Sequence, residues 1–254
     1  KDESKTEDYS QYSHGIKENL GQFIQQLTQV FLVGLTIGLQ RNVIPALGVE
    51  EFGVPANSFT LLAAFVVSFG FVKGAMNFLA GRLSEKHGRK KILIWGWIFA
   101  LPIPFMILWG PTWNWIIAAN VLLGINQGFA WSMTVTSKVD ITRAEQRGLA
   151  TGFNEFSGYG GVAIASIATG YMAVELDPRF SLFIFGLVIM IAGLVGALLF
   201  SKDTLPWAKA EAQSHARGTH KGPLPKFPKN ISENPTAWEV FTLVTYRNST
   251  LSAL

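Results

Sequence analysis

Cysteine is absent from this 254-residue chain, which excludes a disulfide framework, a thiol nucleophile and every metal site built on thiolates. Charge is scarce. Asp, Glu, Lys and Arg make up 15% of the residues, against roughly 25% in an ordinary soluble domain. Histidine is rare too, and His14, His87, His215 and His220 all lie outside the apolar stretches. His215 and His220 sit in a polar tail with no carboxylate beside them, so neither a metal site nor any other cofactor is expected. With no Ser-His-Asp set and no phosphate-cradling glycine loop, the chain is not expected to be an enzyme.

The chain is rich instead in apolar residues, at 49%, with a mean hydropathy of +0.28. They are unevenly spread. Charges crowd into residues 1–18, 82–91, 138–147 and 202–247, and the stretches between are nearly free of them. Spanning a bilayer core takes about 20 apolar residues in a helix. Six segments qualify: 23–47, 58–80, 92–110, 114–137, 148–173 and 181–200. Their apolar runs are continuous rather than alternating, which predicts helices and not barrel strands. The expected class is an all-α membrane protein with six transmembrane helices.

Orientation follows from the basic residues. With an internal N-terminus, eighteen Lys and Arg fall on the cytoplasmic side and one, Arg179, outside, while Arg41 and Lys73 lie within spans. Both termini are therefore expected in the cytoplasm, in a multi-pass protein of the inner or plasma membrane. The net charge of +4 follows from the same basic loops, so no nucleic-acid partner is needed to explain it. The outer loops carry Glu50, Glu51, Glu175 and Asp177.

Residues 1–22 read as a cytoplasmic tail, 23–200 as the six-helix bundle and 201–254 as a cytoplasmic linker. No secretory signal is recognisable, and a first residue that is Lys rather than Met suggests the edge of a longer sequence. The Pro/Gly/Lys-rich stretch 201–230 is expected to lack a core. Beyond it, Asn234-Pro235 starts an amphipathic, interfacial helix through Trp238, Phe241, Val244 and Leu251, expected to lead into a missing seventh span. Asn230-Ile-Ser232 and Asn248-Ser-Thr250 fit the glycosylation pattern, but on the cytoplasmic side they read as chance matches.

The loop after the second span reads Gly81-Arg82-Leu83-Ser84-Glu85-Lys86-His87-Gly88-Arg89-Lys90-Lys91. It resembles the signature of the major facilitator superfamily, G-x-L-(A/S)-(D/E)-(R/K)-x-G-(R/K)-(R/K)-(R/K), at every specified position. A merely basic loop would not require two glycines seven apart with an acid between them. Arg147-Gly148-Leu149-Ala150-Thr151-Gly152 is similar to the family's R-G-x-A-x-G after the fourth span. On helix geometry, Gly81 is expected to end the second helix tightly and Gly88 to permit a left-handed turn into the third. The resemblance implies that Gly81, Glu85, Lys86, Gly88, Arg89 and Arg147 belong to a gate that latches two halves together. It covers residues 16–254 of a fold of twelve spans, so the chain resembles the N-terminal six-helix half, with the C-terminal half as a missing partner. Two departures stand out. Asn120 occupies the place where many proton-coupled relatives carry arginine, and Ser157-Gly158-Tyr159-Gly160-Gly161 lacks the proline of drug antiporters.

Three ionisable residues, Arg41, Lys73 and Glu155, fall inside spans. Each costs roughly 2.5–3.5 kcal/mol near mid-helix, so each is expected to face a partner or a wet cavity. In the family that is resembled, spans one and four line the central cavity. Arg41 either binds an anionic solute there, or pairs with a carboxylate of the missing half, or snorkels to the outer interface. Lys73 and Glu155 lie at equal depth, about 12 Å from the inner ends of their helices. A structural ion pair, a partner on span four and a role in coupling all remain open for them, and Asn77 shares a face with Lys73. Asn126, Gln127 and Trp131 on span four are candidates to line a solute site, with interhelical hydrogen bonding as the alternative. Four G-x-x-x-G pairs, Gly34/Gly38, Gly70/Gly74, Gly124/Gly128 and Gly148/Gly152, read as packing positions. Gly158, Gly160 and Gly161 read as packing positions or a flexible point.

The expected function is transport of a small-molecule solute across the lipid bilayer by alternating access, with Arg41 and Lys73 favouring an organic anion. A non-transporting six-helix scaffold or receptor subunit is the rival, and the intact gate motif argues against it.

Overall fold

The computed structural model describes residues 9, 11–55, 57–59 and 67–216, and among these every regular element is a helix. The helices are α1 (Leu20–Glu50), α2 (Phe69–His87), α3 (Arg89–Ala100), α4 (Ile103–Trp109), α5 (Trp113–Asn126), α6 (Ser132–Ile141), α7 (Arg147–Glu175), α8 (Pro178–Leu199) and α9 (Leu205–Ala216). A π-helical turn, Gln127–Trp131, joins α5 to α6. A single 3-10 turn, Ala144–Gln146, precedes α7.

Four stretches are long and apolar enough to cross a membrane: Leu20–Glu50, Arg89–Trp109, Trp113–Ile141 and Pro178–Leu199. The protein is thus an all-α, multi-pass membrane protein. Helix α7 has 29 residues, ample length at about 1.5 Å per residue. Its glycines, serines and tyrosines dilute its apolar character below that of the other four. The span expected at 58–80 is described from residue 67 onward.

Two expected spans are interrupted. Leu101-Pro102-Ile103-Pro104 splits the third into α3 and α4, because a proline inside a helix supplies no N–H and clashes with the preceding turn. The fourth carries the π turn, an inserted residue of the kind that often marks functional positions.

Small residues decide how closely α1 and α7 approach. A side chain on Gly34 would run into the Gly158 carbonyl, one on Gly38 into the Val162 carbonyl, and one on Gly161 into the Phe31 carbonyl. Gly124 and Gly128 fit likewise against α2, at Val72 and Met76. A Cβ on Gly70, Gly74, Gly148 or Gly152 would meet nothing within 4 Å. The packing expected of these last two pairs is therefore not made among the described residues.

A glutamine ladder on α1 reads the end of α8. Gln29 donates to the Gly193 carbonyl at 3.2 Å, Gln25 to Gly196 at 2.9 Å and Gln22 to Phe200 at 2.8 Å. Gln29 also accepts from Nε1 of the fully buried Trp97 at 2.7 Å. At the opposite end of α8 Arg179 gathers three carbonyls at the end of α4, from Ile107, Leu108 and Gly110. The same guanidinium pairs with Glu51 at 2.5 Å.

The end of the bundle that carries α9 corrects one expectation. Residues 201–216 are not a coreless linker: α9 forms there, and Trp207 packs on Phe23, Ile141 and Ala150. The segment before α1 packs there as well. Gly15 donates to the Ile141 carbonyl at 2.8 Å, and Trp207 Nε1 to the Ser13 carbonyl at 3.1 Å. An amphipathic, aromatic Trp207 in a short polar helix accounts for both. The interfacial helix expected at Trp238–Leu251 lies outside the described residues.

Candidate functional site

A cavity of about 410 Å³ opens between α1, α2 and α5, walled by Ile37, Gln40, Phe69, Asn120 and Leu123, with Arg41 at its edge. Arg41 is exposed and makes no ion pair among the described residues. Pro45 lies four residues on inside the same helix and has no N–H to give the Arg41 carbonyl. Both a cation and a backbone acceptor are thus placed at this position. Asn120, almost fully buried, donates to Ser68 at 3.3 Å.

A second group lies where α2, the π turn and α7 present Lys73, Trp131 and Glu155. The Lys73 ammonium stands 4.8 Å from the centre of a Trp131 ring and 5.8 Å from that of Phe69. Trp131 Nε1 donates to Glu155 Oε1 at 3.2 Å, and Asn154 Nδ2 donates to the same oxygen at 2.9 Å. Tyr159 packs edge-on to Trp131 at 5.7 Å. The indole thus separates cation from carboxylate, offering its face to one and its N–H to the other. A cation over an indole gains about 0.5–2 kcal/mol, more as water is excluded. Lys73 therefore has its aromatic partner on span four. Asn77 is not its partner in this arrangement, since Asn77 accepts from Ser132 at 2.8 Å. Phe69 belongs to both groups, which joins the cavity to the Lys73 site.

Asn126 and Gln127 are not brought to the cavity. Both are fully buried. Asn126 donates to the Gly96 carbonyl at 3.0 Å, and Gln127 to the Val33 carbonyl at 2.9 Å and Thr36 at 3.0 Å. They sit at the start of the π turn, aimed at α3 and α1, and act as glue between helices. Their burial keeps both out of the cavity lining and fits the alternative expected for them, interhelical hydrogen bonding.

The gate motif divides in the same way. Gly81 does not end its helix: α2 runs on to His87, and a Cβ at Gly81 would meet nothing within 4 Å. Gly88 does make the turn, with φ +88° and ψ 158°, and a side chain there would strike the Asp203 carboxylate. Arg89 is buried and pairs with Asp140 at 3.0 Å, and its backbone N–H donates to Asp203 at 2.9 Å. Asp140 accepts as well from Thr204 at 2.8 Å. Arg147 is half-buried and bound to Glu211 of α9 at 2.5 Å. Glu85 and Lys86 are exposed, free of ion pairs among the described residues.

Lys138 is the residue that sequence reasoning missed. It had been counted with a basic inner loop, yet it lies inside α6, 1% exposed, and donates to the Gln26 carbonyl at 3.1 Å. The signal available was its spacing: Trp131, Thr134 and Lys138 recur at three and four residues and so share one helix face.

The described residues thus combine helices of membrane-spanning length, a cavity lined in part by Arg41 and a basic loop turned at Gly88. The chain belongs to the Major Facilitator Superfamily, whose family pattern its residues 27–253 match. It is also similar to the protein named proton-coupled antiporter flippase LtaA in two strains of Staphylococcus epidermidis, with 26% identity over 175 residues to each. That alignment takes in 67% of this chain and 41% of either relative, so the chain spans less than half the length of the relatives it matches.

Proposed function

We propose that the chain is the N-terminal, six-helix half of a secondary transporter of the plasma membrane, carrying a small organic anion by alternating access. The observation that carries this reading is Arg41, a cation without an ion pair among the described residues, at the 410 Å³ cavity. An intramembrane cation is costly enough to be kept where it meets charge, and Lys73 extends the basic lining inward past Phe69. In the reading, residues 23–200 form the bundle, both termini face the cytoplasm, and a second six-helix half closes the cavity. Burial of Lys138 lowers the inner basic count by one and leaves the charge asymmetry that supports this orientation intact.

Glu155 is the coupling residue in this scheme. Its carboxylate accepts from Trp131 and Asn154, and Trp131 also carries the Lys73 ammonium on its ring face, so a change at Glu155 reaches both the indole and the lysine. Proton coupling in the printed name of the relatives supports this assignment. The test is uptake by the complete protein in proteoliposomes, using a panel of radiolabelled small carboxylates and organic phosphates with and without an imposed pH gradient. Saturable uptake that Arg41→Gln weakens through KM is expected. A complete protein that binds none of the panel and accumulates none of it fits the scaffold reading instead.

A further inference from the structure

Gly70 is a glycine that neither conformation nor packing calls for among the described residues. It lies near the start of α2 with a helical backbone, and positive φ is confined to Gly15, Gly53 and Gly88. A Cβ on it would meet nothing within 4 Å. Inside a helix glycine is less favourable than alanine, so a side chain is missing from a place that has room for one. That room is the 410 Å³ cavity, which Gly70 lines beside Phe69. Gly74, one turn further along α2, is equally open but is not on the cavity wall.

The cavity wall combines two chemistries. Ile37, Gln40 and Arg41 share one face of α1 by their spacing of three and four residues. The two polar members of that face lack partners. Gln40 is 4% exposed, yet its amide makes no hydrogen bond among the described residues, and Arg41 makes neither hydrogen bond nor ion pair there. A buried amide left unsatisfied is unfavourable, whereas an amide N–H beside a guanidinium is a ready donor set for an oxyanion. The other polar groups nearby are engaged: Asn120 donates to Ser68 at 3.3 Å, and the Lys73 ammonium is seated on the rings of Trp131 and Phe69. Ile37, Phe69 and Leu123 make the rest of the wall apolar.

We propose that the cavity takes an amphipathic monoanion, its head at Gln40 and Arg41 and its apolar tail along Ile37, Phe69 and Leu123, and that Gly70 sets the longest tail admitted. A side chain at position 70 would fill the space that the tail needs. The charge of the head rests on the function proposed above; the size limit at Gly70 does not.

The deciding experiment uses the complete protein carrying this chain, in lipid nanodiscs. Displacement of radiolabelled hexanoate by straight-chain carboxylates, from acetate to decanoate, is measured with empty nanodiscs subtracted. Affinity is expected to rise by up to about fourfold per methylene as far as a longest tolerated chain, and to fall beyond it. Gly70→Leu is expected to shorten that limit by about two methylenes and to weaken the parent's best chain by about tenfold or more. Gly70→Ala is expected to lie between, and Gly74→Leu to keep the parent's limit. Arg41→Gln is expected to weaken every chain by a similar factor without moving the limit. A limit unchanged in both Gly70 variants, or affinities that do not grow with chain length, overturns the proposal and leaves the anion reading standing. A parent that binds no hexanoate overturns it too, and the anion reading falls with it only if the uptake panel also fails. Where Gly70→Leu does not fold, Gly70→Ala decides, since a lone methyl group has room.

Discussion

The indole of Trp131 occupies the space that a side chain on Gly158 would need, with its Cη2 2.5 Å from where the Cβ would stand. Trp131 ends the π turn and Gly158 lies in the middle of α7: the glycine leaves room for the ring to reach Glu155 with Nε1 while Lys73 covers its face. Gly158→Ala is therefore expected to displace Trp131, costing about 1–3 kcal/mol and weakening solute binding. Thermal unfolding and uptake KM check this together. Gly160→Ala is the control, since a Cβ there meets nothing within 4 Å, and it is expected to leave both unchanged.

Arg89 and Asp140 form a buried pair, each below a tenth exposed at the side chain. Removing one partner leaves the other charge stranded, so Arg89→Ala is expected to cost about 3–5 kcal/mol. Replacing both with apolar residues of similar volume, Arg89→Met with Asp140→Leu, is expected to recover most of that loss. A double variant no more stable than Arg89→Ala in thermal unfolding would show that the pair does more than neutralise itself, through Ser84 and Thr204.

The helical class and the turn at Gly88 were legible in the sequence because bilayer thickness fixes the length of apolar runs and because Gly88 has a backbone conformation that other residues resist. The polar residues inside the bundle were less legible. Asn126 and Trp131 look alike as polar groups on span four, but the π turn between them changes which face each presents, and no local propensity announces such a turn. Lys138 was misplaced for a related reason: charge alone marks a loop, whereas its burial depends on α1 crossing α6 at Gln26. The segment 201–216 was read from composition as a linker, yet one aromatic residue, Trp207, supplies enough apolar surface to dock α9.

The glutamine ladder is a stability device that hydropathy conceals. Gln29 satisfies two groups at once, the Trp97 indole N–H and the Gly193 carbonyl. Gln29→Leu strands both in a dry interior, and the expected loss is about 1–3 kcal/mol. Gln22 makes comparable bonds at an exposed end, where water replaces them, so Gln22→Leu is expected to cost less than half as much in the same unfolding assay.

Glu85 separates gating from folding. Its side chain is exposed, and among the described residues nothing pairs with it, so Glu85→Ala is expected to change stability by no more than about 0.5 kcal/mol. Arg89, four residues away in the same motif, is buried and is expected to lose far more. If the motif latches a second half, as the family resemblance implies, the partner of Glu85 belongs to that half and is met only in one state of the cycle. Transport by the complete Glu85→Ala protein is then expected to slow several-fold with KM nearly unchanged, because solute contacts are untouched while one conformation loses its latch. Loss of affinity with normal exchange between inward- and outward-facing states, read by cysteine accessibility on this cysteine-free chain, would place Glu85 in solute binding instead.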